Sequence, residues 1–346
     1  MVLFSRYSVY ASLQAILLIL LHVLPLVTAD PTPLDKLYTL VKNGGKGNCD
    51  SELSDLRTSY TEGLAMTQAA IDAIDAIKSG KSSNWVPTSK NNRKAKMLQA
   101  LFNIKAASLF KSISSADSAA LDKVRGVYSA AIDDANMNFE GLHWLYCNDD
   151  YLTHYNPEDE DPRAFGDNKP KVGEIENGRL KEFGGWYDGS FQFFKSKKAG
   201  ETRAELFCGP GVGAFTIRTF QSITWCPNAF SGFSNGHKYV TSIGGIKADQ
   251  KQIKKDDPLK NYESLASVWL HEWTHLQSST ADQPAYDSSG NSISGKSYGF
   301  FNCVNLARKG QSLAVANADT FAYFAMAMYL ESWDWSNGFA ENSLGM

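Results

Sequence analysis

Two histidines and the glutamate beside them are the residues of this chain best suited to chemistry. Residues 268–276 read VWLHEWTHL, which places His271 and His275 four positions apart with Glu272 next to the first. On an α-helix this spacing puts both imidazoles on one face, where they can share a divalent metal ion. A carboxylate beside such an ion can act as a general base that takes a proton from water. The pattern therefore predicts metal-assisted hydrolysis, with zinc as the expected ion.

The surrounding residues predict a helix that has one face in the core and another toward a cleft. At about 100° per residue, Val268 lies on the same face as His271, Glu272 and His275. An apolar stripe runs beside this face and consists of Tyr262, Leu265, Ala266, Trp269, Trp273 and Leu276. Asp257-Pro258 is the expected helix start, because aspartate caps helices and proline is tolerated in the first turn. The alternative is a helix whose histidines are solvated or satisfied within the core.

Two histidines leave a catalytic zinc ion one protein ligand short, because such sites usually hold three protein ligands and one water molecule. No histidine follows His275, so the third ligand is expected to be a carboxylate or a cysteine. The candidates in the segment that follows are Asp282, Asp287, Asp319, Glu331 and, as a softer ligand, Cys303. Their spacing alone leaves the choice between them open.

The first 29 residues have the layout of a secretory signal peptide. Arg6 precedes an apolar run that begins at Ala15, and residues 27–29 supply a cleavage-like end before Asp30. The run is too short for a membrane span, and no later segment approaches spanning length. We therefore expect a secreted protein without stable membrane association. A signal anchor is the alternative.

The cysteine content fits an oxidising compartment, because all five cysteines follow the predicted signal peptide. Cys208 and Cys226 bracket an apolar, strand-like segment and are the preferred disulfide pair. A bond from Cys49 to Cys147 would join the ends of the helical region, although sequence does not decide that connectivity. Because five is an odd number, at least one thiol is free or pairs between chains.

Residues 30–346 are predicted to form a single domain with a helical half and a catalytic half. From about residue 50 to 140, apolar residues such as Leu56, Tyr60 and Leu64 recur at helical spacing. From about residue 200 to 346, short segments rich in β-branched and aromatic residues predict a small sheet ahead of the helix with the histidines. Those segments are 203–208, 215–226 and 238–242. The expected fold class is α+β.

The charge of the chain does not indicate a polyanionic partner. Its 34 basic and 37 acidic residues leave a net charge of −3, so we do not expect binding to nucleic acid. The oligomeric state is left open.

The motifs together resemble those of the deuterolysin-type aspzincins, secreted metallopeptidases related to the lysine-specific metalloendopeptidases. The resemblance covers roughly residues 203–333 and rests first on HEWTH at 271–275. Its other segments are Phe207-Cys208-Gly209, TWCPNAF at 224–230, Tyr298-Gly299 and NADTFAYFA at 317–325. It implies a zincin-like metallopeptidase fold, zinc (Zn²⁺) as the cofactor, Glu272 as the general base and protein or peptide substrates.

The chain departs from this family at the third ligand. The family signature GTxDxxYG has its ligand aspartate three residues before the tyrosine, and that position is Gly295 here. If the loop is expanded, Asp287 is the expected third metal ligand, with Asp282 and then Asp319 as the alternatives. Tyr298 matches the family tyrosine, which implies a phenol that donates a hydrogen bond to the developing oxyanion. Asp319 could instead orient a ligand histidine or cap a helix.

These residues predict a secreted zinc endopeptidase, and two other hypotheses remain. One is a non-catalytic zinc-binding or surface-antigen protein on a peptidase-like fold, which the altered signature favours and the intact Glu272 opposes. The other is a structural or host-interacting protein whose helical half is the working surface.

Overall fold

The structure is a computed structural model that describes residues 32–79, 89–105, 113–136, 141–174, 178–189, 193–196 and 207–341. The predicted signal peptide, residues 1–29, lies outside the described residues. So do residues 203–206, which belong to the first segment predicted for the small sheet.

Helices dominate the half of the chain for which they are predicted. A short helix α1 (Leu34–Leu37) and strand β1 (Tyr38–Leu40) precede the long helices α2 (Leu53–Ser79), α3 (Ser89–Phe102) and α4 (Ser115–Asn136). Buried apolar residues recur along α2 at intervals of three and four, so one stripe of the helix faces the core. The expected helical layer is therefore present, and its helices pack against the later part of the chain.

The main sheet has four strands, in the order β1, β2 (His143–Tyr146), β7 (Ser222–Trp225) and β6 (Ala214–Ile217). The first three are parallel, and β6 pairs antiparallel with β7. The segment 215–226, predicted to contribute to the sheet, supplies most of β6 and all of β7 and forms a hairpin. Two strands of this sheet, β1 and β2, come from before residue 147, outside the segments for which the sheet is predicted. Strands of three or four residues are too short to show a clear alternation in sequence.

The remaining elements surround this core. A second antiparallel sheet contains β3 (Leu152–Tyr155), β4 (Gly185–Asp188) and β5 (Phe193–Ser196), and a hairpin joins β8 (Pro284–Tyr286) to β9 (Ser292–Lys296). The segment 238–242 forms an isolated bridge between Val240 and Ser264 rather than a strand. The later helices are α5 (Gly178–Phe183), α6 (Pro227–Ser231), α7 (Gly244–Ala248), α8 (Leu265–Ser278), α9 (Phe300–Lys309), α10 (Gln311–Ala314) and α11 (Ala318–Tyr329).

Helix α8 carries the histidine motif and begins later than expected. Asp257-Pro258 precedes a 3₁₀ turn, Leu259–Tyr262, and the helix itself starts after Ser264. The side chain of Ser264 accepts a hydrogen bond from the Ser267 N–H, and the Ser267 hydroxyl accepts one from the Ser264 N–H. This capping box satisfies two backbone donors that a helix start otherwise leaves unpaired. Serine at both positions therefore sets the start of the helix.

The apolar face of α8 packs against α2 and β1. Two of its tryptophans are buried and use their indole N–H groups as donors, Trp269 to the Ser59 hydroxyl at 3.0 Å and Trp273 to the Tyr38 hydroxyl at 2.9 Å. Gly63 of α2 lies against the Trp273 ring, where an added Cβ would come within 3.1 Å of a ring carbon. Because Gly63 has no side chain, α2 and α8 approach closely at this point. The opposite face of α8, which carries the histidines, is thereby directed toward the cleft.

Two disulfides cross-link the chain, Cys49–Cys147 and Cys208–Cys226. Cys303 is a free, fully buried thiol. Both pairs agree with the pairings that the sequence suggested. Among the residues that the structure describes, no helix combines the length and apolar character needed to cross a bilayer.

Candidate metal centre

Helix α8 brings two imidazole nitrogens to one point. His271 and His275 lie one turn apart, and their Nε2 atoms are 3.1 Å from each other. The face of α8 opposite to these rings is fixed in the core by the tryptophans described above. The histidine positions are therefore set by a rigid helix rather than by a loop.

Asp282 supplies an oxygen to the same point. Its Oδ1 lies 3.2 Å from His271 Nε2 and 3.3 Å from His275 Nε2. The chain reaches this position because α8 ends at Ser278 and Ser279 adopts a left-handed conformation, with φ of 55°. That conformation turns the backbone so that the residues just after the helix return to its histidine face.

Asp287, the expected third ligand, does not reach the histidines. It lies in the turn between β8 and β9, where its carboxylate accepts hydrogen bonds from the Ser289 N–H and from the backbone and side-chain amides of Asn291. The hydrogen bonds from Asn291 lower the pKa of this exposed carboxyl. The prediction assumed that the additional residues of the loop lie between the histidine helix and the ligand aspartate. In the structure they lie after Asp282 and form the β8–β9 hairpin.

The other candidates for the third ligand lie elsewhere. Glu331 pairs with Lys247 at 3.8 Å, and the Cys303 thiol contacts the Ser297 carbonyl oxygen at 3.4 Å. Within the described part of the chain, the group of potential ligands around His271 and His275 is completed by Asp282.

Both histidines have an acceptor at the other ring nitrogen. His271 Nδ1 lies 3.2 Å from Asp319 Oδ1, and His275 Nδ1 lies 2.9 Å from the Thr280 carbonyl oxygen. Since a carboxylate and a carbonyl can only accept, each Nδ1 is expected to carry the proton and each Nε2 a lone pair. Asp319 also accepts the Gly299 N–H at 2.6 Å through its second oxygen. It therefore orients a histidine and anchors the Tyr298-Gly299 segment.

The three converging atoms fit a tetrahedral zinc ion. With bonds of about 2.0–2.1 Å, tetrahedral zinc would hold its nitrogen and oxygen ligands about 3.3–3.4 Å apart. The separations here are 3.1, 3.2 and 3.3 Å. In addition, Asp282 Oδ1 is buried and accepts no hydrogen bond of acceptable geometry. Two lone pairs and an unsatisfied carboxylate oxygen that face one another require a positive charge between them.

The charges of the centre favour any cation that enters it. Burial alone would lower the pKa of His271, but Asp282 and Asp319 outweigh that effect and raise the pKa well above its usual range. Burial would likewise lower the pKa of His275, but the nearby carboxylate of Asp282 outweighs that effect and raises it. Against the effect of burial, the two histidines hold the pKa of Asp282 well below its usual range. Protons and metal ions therefore compete for the same nitrogen atoms.

Glu272 is buried beside the histidines, with 3% of its surface exposed. Its Oε2 accepts a hydrogen bond of 2.7 Å from the Thr216 hydroxyl of β6. Both His271 and Glu272 line a cleft of about 280 Å³, whose other walls include residues 211–214, Tyr239 and Met326. A carboxylate in this position can reach a water molecule held next to the histidines.

Tyr298 also lines the cleft and has 49% of its surface exposed. Its ring centroid lies 5.9 Å from that of His271. Partial burial and then the negative charge of Asp282 raise the pKa of this phenol. Tyr298 therefore keeps its proton at neutral pH and can donate it in a hydrogen bond.

Two polar residues of the site carry no recognisable signal in the motifs above: Glu263, which lines the cleft, and Thr216, whose hydroxyl bonds to Glu272. Glu263 contacts the Tyr323 hydroxyl through Oε1 and lies 3.0 Å from His237 Nε2 through Oε2. Burial and the nearby charge of Asp319 raise its pKa to about 8. Glu263 could have been noticed in the sequence, because it is a carboxylate that lies directly before the start of the apolar helix α8. No local pattern connects Thr216 with Glu272, which lies 56 positions away in sequence.

A zinc peptidase from Grifola frondosa aligns with 80% of this chain and 95% of its own chain, with 14% sequence identity and a TM-score of 0.36. No protein-family model matches the chain, and no curated protein matches it in sequence. Its function therefore has to be inferred from the geometry of its own side chains.

Proposed function

We propose that this protein is a secreted zinc-dependent endopeptidase with a zincin-like fold that cleaves protein or peptide substrates. The observation that carries the proposal is the convergence of His271 Nε2, His275 Nε2 and Asp282 Oδ1 within 3.3 Å of one another. The buried carboxylate of Glu272 lies next to this group. A site that only stored metal would have no need of a carboxylate beside its ligands.

The proposed roles follow from the position of each side chain. His271, His275 and Asp282 would hold the zinc ion, which supplies Lewis-acid activation of water and of the scissile carbonyl. Glu272 removes a proton from the attacking water and later transfers it to the nitrogen of the leaving amine. Tyr298 donates a hydrogen bond to the carbonyl oxygen as negative charge develops there. Asp319 keeps the His271 ring in the orientation that presents Nε2.

Strand β6 is the proposed platform for an extended peptide. It is the last strand of the main sheet, and its neighbour on one side is β7. Residues 211–214 continue from this strand into the wall of the cleft. A peptide that adds to the outer edge of β6 would be held by backbone hydrogen bonds, which tolerate many side chains. This supports an endopeptidase acting on unfolded segments.

Secretion is proposed from two features. The first residues have the layout of a signal peptide, and the structure pairs four of the five cysteines as disulfides. Disulfides persist in oxidising compartments, so they agree with an exported protein.

The proposal is tested with purified, oxidised protein and a denatured protein substrate. We expect zinc-dependent cleavage that a chelator stops and added zinc restores. Glu272→Gln is expected to retain zinc and to lose about 10²–10⁴-fold in turnover, because the general base is absent. His275→Ala is expected to lose both zinc and activity. Mass-spectrometric zinc content and peptide mapping provide the measurements.

Full activity of Glu272→Gln would contradict the assigned base. A wild-type protein that binds zinc stoichiometrically but cleaves none of a panel of unfolded proteins would favour the non-catalytic zinc-binding alternative. A folded protein without zinc affinity would remove both hypotheses.

A further inference from the structure

The Thr216 hydroxyl connects the outer strand of the main sheet to the carboxylate of Glu272. Thr216 is the third residue of β6, and its Oγ1 lies 2.7 Å from Glu272 Oε2. The same atom lies 3.2 Å from the Glu272 backbone carbonyl oxygen. A hydroxyl has one proton to donate, and the closer, negatively charged oxygen is the stronger acceptor. The carboxylate is therefore the main partner of this hydroxyl.

We propose that Thr216 is a positioning residue that holds Oε2 of Glu272 and leaves Oε1 to face the attacking water. This inference rests on the proposed peptidase function. A glutamate side chain on a helix has several rotatable bonds, and its carboxylate plane is the part least restricted by packing. One strong hydrogen bond from a neighbouring strand restricts that plane to a single orientation.

The hydrogen bond is compatible with each protonation state that the reaction requires. In the first step, the water O–H bond breaks, the proton moves to Oε1, and the water oxygen bonds to the carbonyl carbon while the C=O π electrons move to the carbonyl oxygen. In the second step, the C=O bond re-forms, the C–N bond breaks and the proton passes from Oε1 to the amine nitrogen. Oε2 remains an acceptor in both the carboxylate and the neutral acid. Thr216 can thus donate to it throughout without reorganisation.

The location of Thr216 on β6 adds a second consequence. Side chains point off the faces of a sheet, whereas backbone hydrogen bonds lie in its plane, so the Thr216 side chain contacts α8 without using the edge of β6. Among the described residues, β6 pairs with β7 and with no further strand. If β6 aligns the substrate, the same short strand places the peptide backbone and orients the base. Thr216 then couples the position of the scissile bond to that of the proton acceptor.

The test compares Thr216→Val with Thr216→Ser in the zinc-loaded, full-length secreted protein. Valine matches threonine in shape but has no hydroxyl, and we expect its kcat to fall by about tenfold to a hundredfold, as for other small misplacements of a reacting group. KM and zinc content are expected to change little. Serine keeps the hydroxyl and is expected to restore most of the lost turnover. A high-resolution crystal structure of Thr216→Val is expected to show the Glu272 carboxylate in more than one orientation.

Thr224→Val on the neighbouring strand β7 is the matched control. Thr224 is fully buried, and its hydroxyl bonds to the Tyr151 hydroxyl at 2.8 Å, away from Glu272. The same substitution there is expected to leave kcat unchanged.

Wild-type kcat in Thr216→Val, or an unchanged single orientation of Glu272, would overturn the inference while leaving the peptidase intact. Equal losses in Thr216→Val and Thr224→Val would also overturn it, because the effect would then come from the sheet. A wild-type protein without peptidase activity would instead contradict the proposed function, and the inference would fall with it.

Discussion

The three side chains of the candidate metal centre attract positive charge whether it comes as protons or as a metal ion. His271 and His275 have raised pKa values, because Asp282 is close to both rings. Near neutral pH, the metal-free site therefore retains protons that an isolated histidine would largely have lost. A zinc ion must displace these protons to reach the Nε2 atoms.

Zinc affinity should consequently increase with pH. Because the pKa values are raised, we expect the affinity to rise by about tenfold per pH unit for each displaced proton, until the pH exceeds those values. The measurement is calorimetric zinc titration between about pH 6 and about pH 8, in buffers that differ in ionisation enthalpy. Affinity that does not depend on pH, without proton release, would contradict the described electrostatics.

Asp282 and Asp287 provide a matched pair for testing the third ligand. Asp282→Asn is expected to reduce zinc affinity by at least about a hundredfold, since loss of a mere outer partner already costs about 10–100-fold. Asp287→Asn is expected to leave affinity unchanged, because that carboxylate is exposed and bound within its own turn. Competition with a chromogenic chelator measures both. Loss of zinc in Asp287→Asn alone would restore the original assignment.

At the scale of elements, the close contact of α2 with α8 determines where the histidines lie. Gly63 of α2 contacts the Trp273 ring, so the two helices approach more closely than a larger residue would permit.

The hairpin β8–β9 is an insertion that leaves the geometry of the site unchanged. It separates Asp282 from Tyr298 in sequence, yet the Ser297 N–H donates to the Gln283 carbonyl oxygen at 2.8 Å and closes its base. The inserted residues therefore do not separate Asp282 from Tyr298 in space.

Gly63→Leu should destabilise the protein by about 1–3 kcal/mol, because the added side chain overpacks the contact with Trp273. The control is Gly126→Leu in α4, where an added Cβ meets nothing within 4 Å. There, the better helix propensity of leucine is expected to stabilise the protein by up to about 1 kcal/mol. Urea denaturation gives both free energies of unfolding. Equal effects of the two substitutions would show that the contact is not tight.

At the scale of the whole molecule, the two disulfides join parts of the chain that differ greatly in separation. Cys49–Cys147 links residues 98 positions apart, and Cys208–Cys226 links residues 18 positions apart. The first connects the chain just before α2 to the end of β2. The second closes the hairpin of β6 and β7 next to the cleft.

Removal of Cys49–Cys147 by paired alanine substitutions should cost more stability than removal of Cys208–Cys226. Loop-closure entropy predicts about 4.7 kcal/mol for a closed loop near 100 residues and about 3 kcal/mol for one near 15. Urea denaturation is expected to show a free energy of unfolding that is lower by about 1.5 kcal/mol in the variant without Cys49–Cys147 than in the variant without Cys208–Cys226. The reverse order would show that interactions in the folded state outweigh the entropy of the unfolded chain.

The sequence by itself predicted the helical first half, a helix through residues 271–275 and the two cysteine pairs as possibilities. Helical periodicity is a local property, so residues such as Leu56, Tyr60 and Leu64 reveal it without knowledge of distant contacts. The placement of His271 and His275 on one face follows from the same local geometry. Glu272 is next to His271 in the chain, and its position beside the pair follows equally.

Only the tertiary structure decided which residues join that helix from elsewhere. Asp282 reaches the histidines through a turn at Ser279, while Asp287 is carried away on a hairpin, and nothing in the spacing of the acidic residues distinguishes these outcomes. Asp319 and Thr216 come from distant elements, and β1 and β2 join the sheet from the helical half. Contacts of this kind depend on how whole elements pack, because long-range pairing is set by burial across the fold rather than by neighbouring residues.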